Sequence, residues 1–132
     1  GQIDLDTLRA SSDIVSLHCP LTPETNKLID ARRIGLMKRG SLLINTARGE
    51  VVDESALVRA LQDGHLAGAG LDSFEREPPG ADNPLFQLPN TLVSPHVAGV
   101  TVDAKRAVSV MSARNVLDAL DGKALEPRFL AR

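Results

Sequence analysis

Three side chains that could together handle a small carboxylic acid stand just beyond the ends of apolar runs. Arg48 lies in Asn45-Thr46-Ala47-Arg48-Gly49, Glu77 in Asp72-Ser73-Phe74-Glu75-Arg76-Glu77-Pro78, and His96 in Pro95-His96-Val97-Ala98-Gly99. A guanidinium is a planar fork that grips a carboxylate through two parallel hydrogen bonds. An imidazole exchanges protons near neutral pH. A carboxylate bonded to that imidazole fixes the ring and favours its proton-donating form. Each residue also has a plainer reading. Arg48 could be a solvated arginine, His96 a strand-end cap, and Glu77 a loop carboxylate like Glu75. Glu77 reaches His96 only if its loop folds back. Asp72, at the end of an apolar run, is either a turn cap or an acceptor for an amide group of a cofactor.

The elements that must position these groups follow from the hydrophobic pattern. Apolar runs occur at Ile14-Val15-Ser16-Leu17, Ser41-Leu42-Leu43-Ile44, Ala67-Gly68-Ala69-Gly70-Leu71 and Thr91-Leu92-Val93-Ser94. The first, second and fourth are nearly continuous, as in parallel strands covered on both faces. The glycine-rich third run suggests close approach by a packed helix or a ligand. Thr22-Pro23-Glu24 predicts the start of a short helix. Asp30 predicts a cap for a helix over 31–38, closed by Gly40. Asp53 predicts a helix to about Asp63, with Ala56, Leu57, Ala60 and Leu61 inward and Gly64 as its stop. Thr101 or Asp103 opens the longest helix, whose apolar face is Ala104, Ala107, Val108, Met111, Leu117 and Leu120, with Gly122 as its stop. The Pro-rich stretch from Glu77 to Pro89 is too irregular for a crossover helix.

Strands alternating with helices predict an α/β fold with a mostly parallel sheet. Right-handed crossovers place all strand C-termini on one rim, where such sheets bind ligands. His18-Cys19-Pro20, Asn45 to Arg48, Asp72 and Pro95-His96 all fall there.

Composition narrows the function. The 132 residues carry a formal net charge of -2, which gives no electrostatic footprint for nucleic acid or an anionic membrane. Three Phe, no Trp and no Tyr argue against a base-stacking platform. A single cysteine, Cys19, cannot form an internal disulfide, which favours a reducing compartment, and cytoplasm is the default expectation. Its apolar setting argues for an inert thiol. His18, Cys19, His65 and His96 lack metal-ligand spacing, so no metal site is expected. Gly68-Ala69-Gly70-Leu71-Asp72-Ser73 imitates a dinucleotide fingerprint, but it lies within a strand and not at a strand-to-helix turn. No Gly-x-Ser-x-Gly elbow supports a serine hydrolase.

Taken in order, the motifs resemble those of the D-isomer-specific 2-hydroxyacid dehydrogenases. The resemblance runs from about Asp6 to Gly122. It is carried by His18-Cys19-Pro20-Leu21-Thr22, by Met37-Lys38-Arg39-Gly40 leading to Asn45-Thr46-Ala47-Arg48-Gly49, by Gly70-Leu71-Asp72-Ser73-Phe74 through Glu77-Pro78, and by Pro95-His96-Val97-Ala98-Gly99. It implies the second half of a Rossmann-type doubly wound parallel sheet of about four strands. Residues 1–122 would be the C-terminal portion of an NAD-binding domain, and residues 123–132 a frayed tail. It implies hydride transfer between NAD or NADP and a small 2-keto or 2-hydroxy acid. Arg48 would bind the substrate carboxylate, His96 would donate and take back the proton, and Glu77 would pair with His96. Thr46, Ala47 and Arg48 would contact the nicotinamide side, with His96 alongside. Asp72 would hold the carboxamide, Ala98 and Gly99 would pack near the nicotinamide, and Cys19 and Pro20 would line the adenosine side.

The 132 residues contain no phosphate-binding glycine turn and no substrate domain, which implies a truncated or partial form with weak NAD binding of its own. A non-catalytic interaction module, like the family's transcriptional corepressors, is the competing expectation. The open edge of the first strand predicts self-association, hence a homo-oligomer.

Overall fold

The computed structural model describes residues 4–124. The chain forms two compact units, Gly1–Val97 and Ala98–Arg132. The first contains a four-stranded, all-parallel sheet in which spatial order follows chain order. Its strands are β1 (Ile14–Leu17), β2 (Ser41–Asn45), β3 (Leu66–Leu71) and β4 (Thr91–Val93). Its helices are α1 (Leu5–Ser11), α2 (Ala31–Gly35) and α3 (Glu54–Gln62), with single 3-10 turns at Gly49–Val51 and Pro84–Gln87. This is the partial α/β sheet that the strand pattern predicts.

The longest helix in this unit is α3. The Asp53 carboxylate accepts from the Ala56 N–H at 3.0 Å, satisfying one of the donors a helix start leaves open. Ala56, Leu57, Ala60 and Leu61 all turn inward. They join Val15, Leu17, Leu43, Leu66, Ala69 and Leu71 of the sheet, and Ile34 and Met37 from α2 and its exit, in one core. Gly64 leaves the helix at φ +70°, a left-handed conformation that glycine adopts without steric cost.

Several elements differ from the sequence expectation. Thr22 to Glu24 starts no helix. The Thr25 hydroxyl takes the Thr22 N–H at 2.7 Å, and the backbone downstream is drawn to another partner. Lys27 N–H bonds the Glu50 carbonyl, Ile29 N–H the Val51 carbonyl, and Asp53 N–H the Ile29 carbonyl. Tertiary pairing thus overrides the local helix signal. α2 is capped by Asp30 as expected but stops at Gly35, and Gly40 instead shapes the turn into β2 at φ +81°. The strands are not buried on both faces. Val15, Leu17, Leu43 and Asn45 are buried, whereas Ile14 is 59% exposed and Leu42 is also exposed. The glycines of β3 admit close neighbours, but these are protein atoms. A Cβ on Gly68 would lie 2.9 Å from the Asn90 carbonyl oxygen. α1, capped by Asp4, has no counterpart in the sequence expectation.

The second unit is dominated by α4 (Val102–Leu120). Thr101 caps it by accepting from the Ala104 N–H at 3.0 Å, and Gly122 follows its end at φ +73°. None of its side chains is buried, so the predicted apolar face packs no core here. Most of the expected frayed tail from 123 lies outside the described residues.

Candidate functional site

Arg48 stands on a turn built by its own motif. The Asn45 side chain, 1% exposed, accepts from the Ala47 N–H at 3.0 Å and donates to the Arg48 carbonyl at 2.8 Å. This side-chain turn fixes the backbone between β2 and the 3-10 turn after it. Gly49 then passes against the other motif. A Cβ there would lie 1.9 Å from the Phe74 carbonyl carbon and 2.0 Å from its oxygen, a distance no side chain can occupy. Only glycine lets the Arg48 turn approach the loop that carries Glu77 so closely.

Glu77 does fold back onto His96. Its Oε2 lies 2.7 Å from His96 Nδ1, and its Oε1 accepts from the Phe74 N–H at 3.0 Å. Both carboxylate oxygens are therefore engaged. The hydrogen bond from His96 is the main cause holding the Glu77 carboxyl below the usual glutamate range. Partial desolvation opposes it, and the Phe74 amide and the charges of His96 and Arg48 assist.

His96 sits at φ +56°, in the left-handed region that non-glycine residues rarely adopt. Such conformations persist where the surroundings over-determine them, often at functional sites. Here the buried Asp72 pins both flanks. Its Oδ1 accepts from the Ser94 hydroxyl at 2.5 Å and from the Val97 N–H at 2.8 Å. Asp72 thus plays the turn-capping part that its sequence position left open.

Arg48, Glu77 and His96 line one concavity of about 490 Å³ together with Glu50, Phe74, Glu75 and Arg76. Arg48 also borders a neighbouring concavity of about 600 Å³ formed by His18, Cys19, Pro20, Leu21, Thr46 and Ala47. The two strand-end motifs flanking β1 and β2 therefore share one space, and Arg48 joins it to the Glu77–His96 space. Cys19 is half-buried. Ala98 and Gly99 belong to the second unit, where they form the turn before Thr101. Asn45, Gly49 and Ser94 support the site but were not singled out from sequence. A buried asparagine at a strand end and a glycine directly after the arginine were the available signals.

A parallel α/β sheet with an arginine, a glutamate and a histidine at its carboxyl rim defines a class of ligand-binding fold. Comparison with known proteins specifies it. Residues 1–98 match the family described as D-isomer specific 2-hydroxyacid dehydrogenase, NAD binding domain, and the chain belongs to that family. It is 49% identical over 120 residues to a glyoxylate reductase of Thermofilum pendens, covering 91% of this chain and 35% of that protein. It is 45% identical over 125 residues to a glycerate dehydrogenase of Methylorubrum extorquens, covering 93% of this chain and 40% of that protein. A solved structure of D-lactate dehydrogenase from Aquifex aeolicus, complexed with NAD and lactic acid, superposes with a TM-score of 0.83 at 38% identity, covering 91% of this chain and 40% of that one. The chain thus spans well under half the length of these relatives.

Proposed function

We propose that this chain carries the proton-transfer and carboxylate-binding groups of an NAD-dependent 2-hydroxyacid dehydrogenase acting on a small 2-keto or 2-hydroxy acid. The observation that carries the reading is the 2.7 Å contact between His96 Nδ1 and Glu77 in the same concavity as Arg48. With Nδ1 turned toward an ionised carboxylate, the proton of neutral His96 belongs on Nδ1. Nε2 is then the nitrogen that gives a proton to a carbonyl oxygen and recovers it in the reverse direction. Glu77 orients the ring through that contact. Arg48 holds the substrate carboxylate and so fixes the carbonyl relative to His96.

The concavity along Cys19, Pro20, Thr46 and Ala47 fits a nucleotide. It has a volume of about 600 Å³ and is lined by His18, Cys19, Pro20, Leu21, Thr46 and Ala47 next to Arg48. In this reading Cys19 and Pro20 lie on the adenosine side, and Thr46, Ala47 and Arg48 on the nicotinamide side. Asp72 serves the carboxamide. The bound nicotinamide would supply the hydride. Residues 1–122 would be the portion of the NAD-binding domain that holds these groups. The relatives named above include a glyoxylate reductase and a glycerate dehydrogenase, which makes glyoxylate and hydroxypyruvate the first substrates to try.

The test is NADH oxidation with glyoxylate or hydroxypyruvate, run on this chain and on a longer form that includes a glycine fingerprint. Turnover in the longer form that His96→Gln lowers by at least about a hundredfold is expected for loss of a proton-transfer group. Undiminished turnover in His96→Gln would sink the assignment.

A further inference from the structure

The loop that carries Glu77 is held from outside as well as from within. The residue that does so is Glu54, the first residue of α3. Its Oε2 accepts from the Glu75 N–H at 3.0 Å, and its Oε1 accepts from the Asn83 side-chain amide at 2.7 Å. The contact is reciprocal, because Glu75 Oε1 receives the Glu54 N–H at 3.4 Å, one of the open donors at the start of α3. Lys27 Nζ lies 3.5 Å from Glu75 Oε1 and 3.9 Å from Asp53, which offsets the crowding of carboxylates.

The placement of these bonds is informative. The Phe74 and Glu75 N–H groups are consecutive. The first is taken by Glu77 from inside the loop, the second by Glu54 from the helix. Asn83, at the far side of the same loop, is itself anchored by accepting from the Leu85 N–H at 2.9 Å. Glu54 therefore fastens the loop on both sides of Glu77 to the end of a helix whose Leu57 and Leu61 are buried in the core.

We infer that Glu54 is a positioning residue for the Glu77–His96 pair, transmitting the rigidity of α3 to the loop that presents Glu77. Its relevance to turnover rests on the dehydrogenase reading, but its effect on the pair does not. Gln at this position keeps one carboxamide oxygen and so satisfies only one of the two donors. Ala satisfies neither.

Long-range proton–nitrogen spectra of the chain labelled with 15N-histidine read the pair directly, with His96→Gln identifying the His96 signals. In the unsubstituted chain the neutral form of His96 should carry its proton on Nδ1. Glu54→Ala should move His96 most of the way to the pattern of a free imidazole, where Nε2 carries the proton, while circular dichroism stays that of the unsubstituted chain. Glu54→Gln should fall between the two. A folded Glu54→Ala chain with an unaltered His96 pattern overturns the inference. If Glu54→Ala does not fold, an unaltered pattern in Glu54→Gln overturns it. In a form that turns over, Glu54→Gln should lower kcat about tenfold with little change in KM. An inactive unsubstituted protein would count against the dehydrogenase reading and leave the histidine spectra to decide the role of Glu54.

Discussion

A carboxylate that accepts from an imidazole and a backbone amide at once is easier to ionise than one in water, and Glu77 is in that position. Its folded pKa is lowered, so the stability it contributes is present above the ordinary glutamate range and lost as pH falls through the folded value. The side chain is 37% exposed, so solvent screening keeps that contribution small. Glu77→Gln should therefore melt below the unsubstituted chain near neutral pH, and the two curves should converge as pH falls below the ordinary glutamate range. Thermal melts across that range check this, and a difference that grows on acidification would contradict it. Arg48 leads to a separate expectation. Lysine keeps the charge but loses the two-pronged geometry. In a form that turns over, Arg48→Lys should raise KM for the keto acid about tenfold or more, as initial rates would show.

The elements explain why residues so far apart in sequence meet. α3 anchors the loop after β3 through Glu54, the turn after β2 supplies Arg48, and the loop after β3 supplies Glu77. Gly49 is the point of closest approach between the last two. Gly49→Ala would force Phe74 and Glu75 away, and overpacking of this kind costs about 1–3 kcal/mol. The melting temperature should fall by on the order of 5–10 °C, and the His96–Glu77 signature should weaken with it. Leu57→Ala, in the middle of α3 at 1% exposure, should cost about 2–5 kcal/mol through lost burial and a residual cavity. Urea titration measures both. Much of this arrangement was legible in the sequence. The four strands, the Asp53 cap, Gly64 as the end of α3, and the gathering of Arg48, Asp72 and His96 at one rim all follow from local pattern. What was not legible depends on partners distant in the chain. Thr22-Pro23-Glu24 carries a sound helix signal, yet Lys27 and Ile29 pair with Glu50 and Val51. α1 is too short for its pattern to stand out. Glu54 reads as an acidic first-turn residue until Glu75 and Asn83 are seen against it.

At the scale of the molecule, the sheet has two open edges among the described residues, β1 and β4, and a face where Ile14, Leu42 and Leu92 are exposed. Unpaired strand edges offer N–H and C=O groups to any other extended chain, and exposed apolar side chains beside them add a driving force. β1 carries no lysine or proline, the residues that commonly blunt such an edge. α4 adds further exposed valine and leucine side chains in the second unit. The 132-residue chain is therefore expected to self-associate in solution. Light scattering and sedimentation over a concentration series should show species heavier than the 14.1 kDa chain, with the proportion rising with concentration. Ile14→Lys places a charge on the exposed side of the edge strand without touching the buried Val15 and Leu17, so it should shift the distribution toward monomer while the fold is retained. A chain that remains a monodisperse monomer at every concentration would mean that the β1 edge does not drive association. An Ile14→Lys chain that associates as strongly as its parent would move the contact to β4 or to α4.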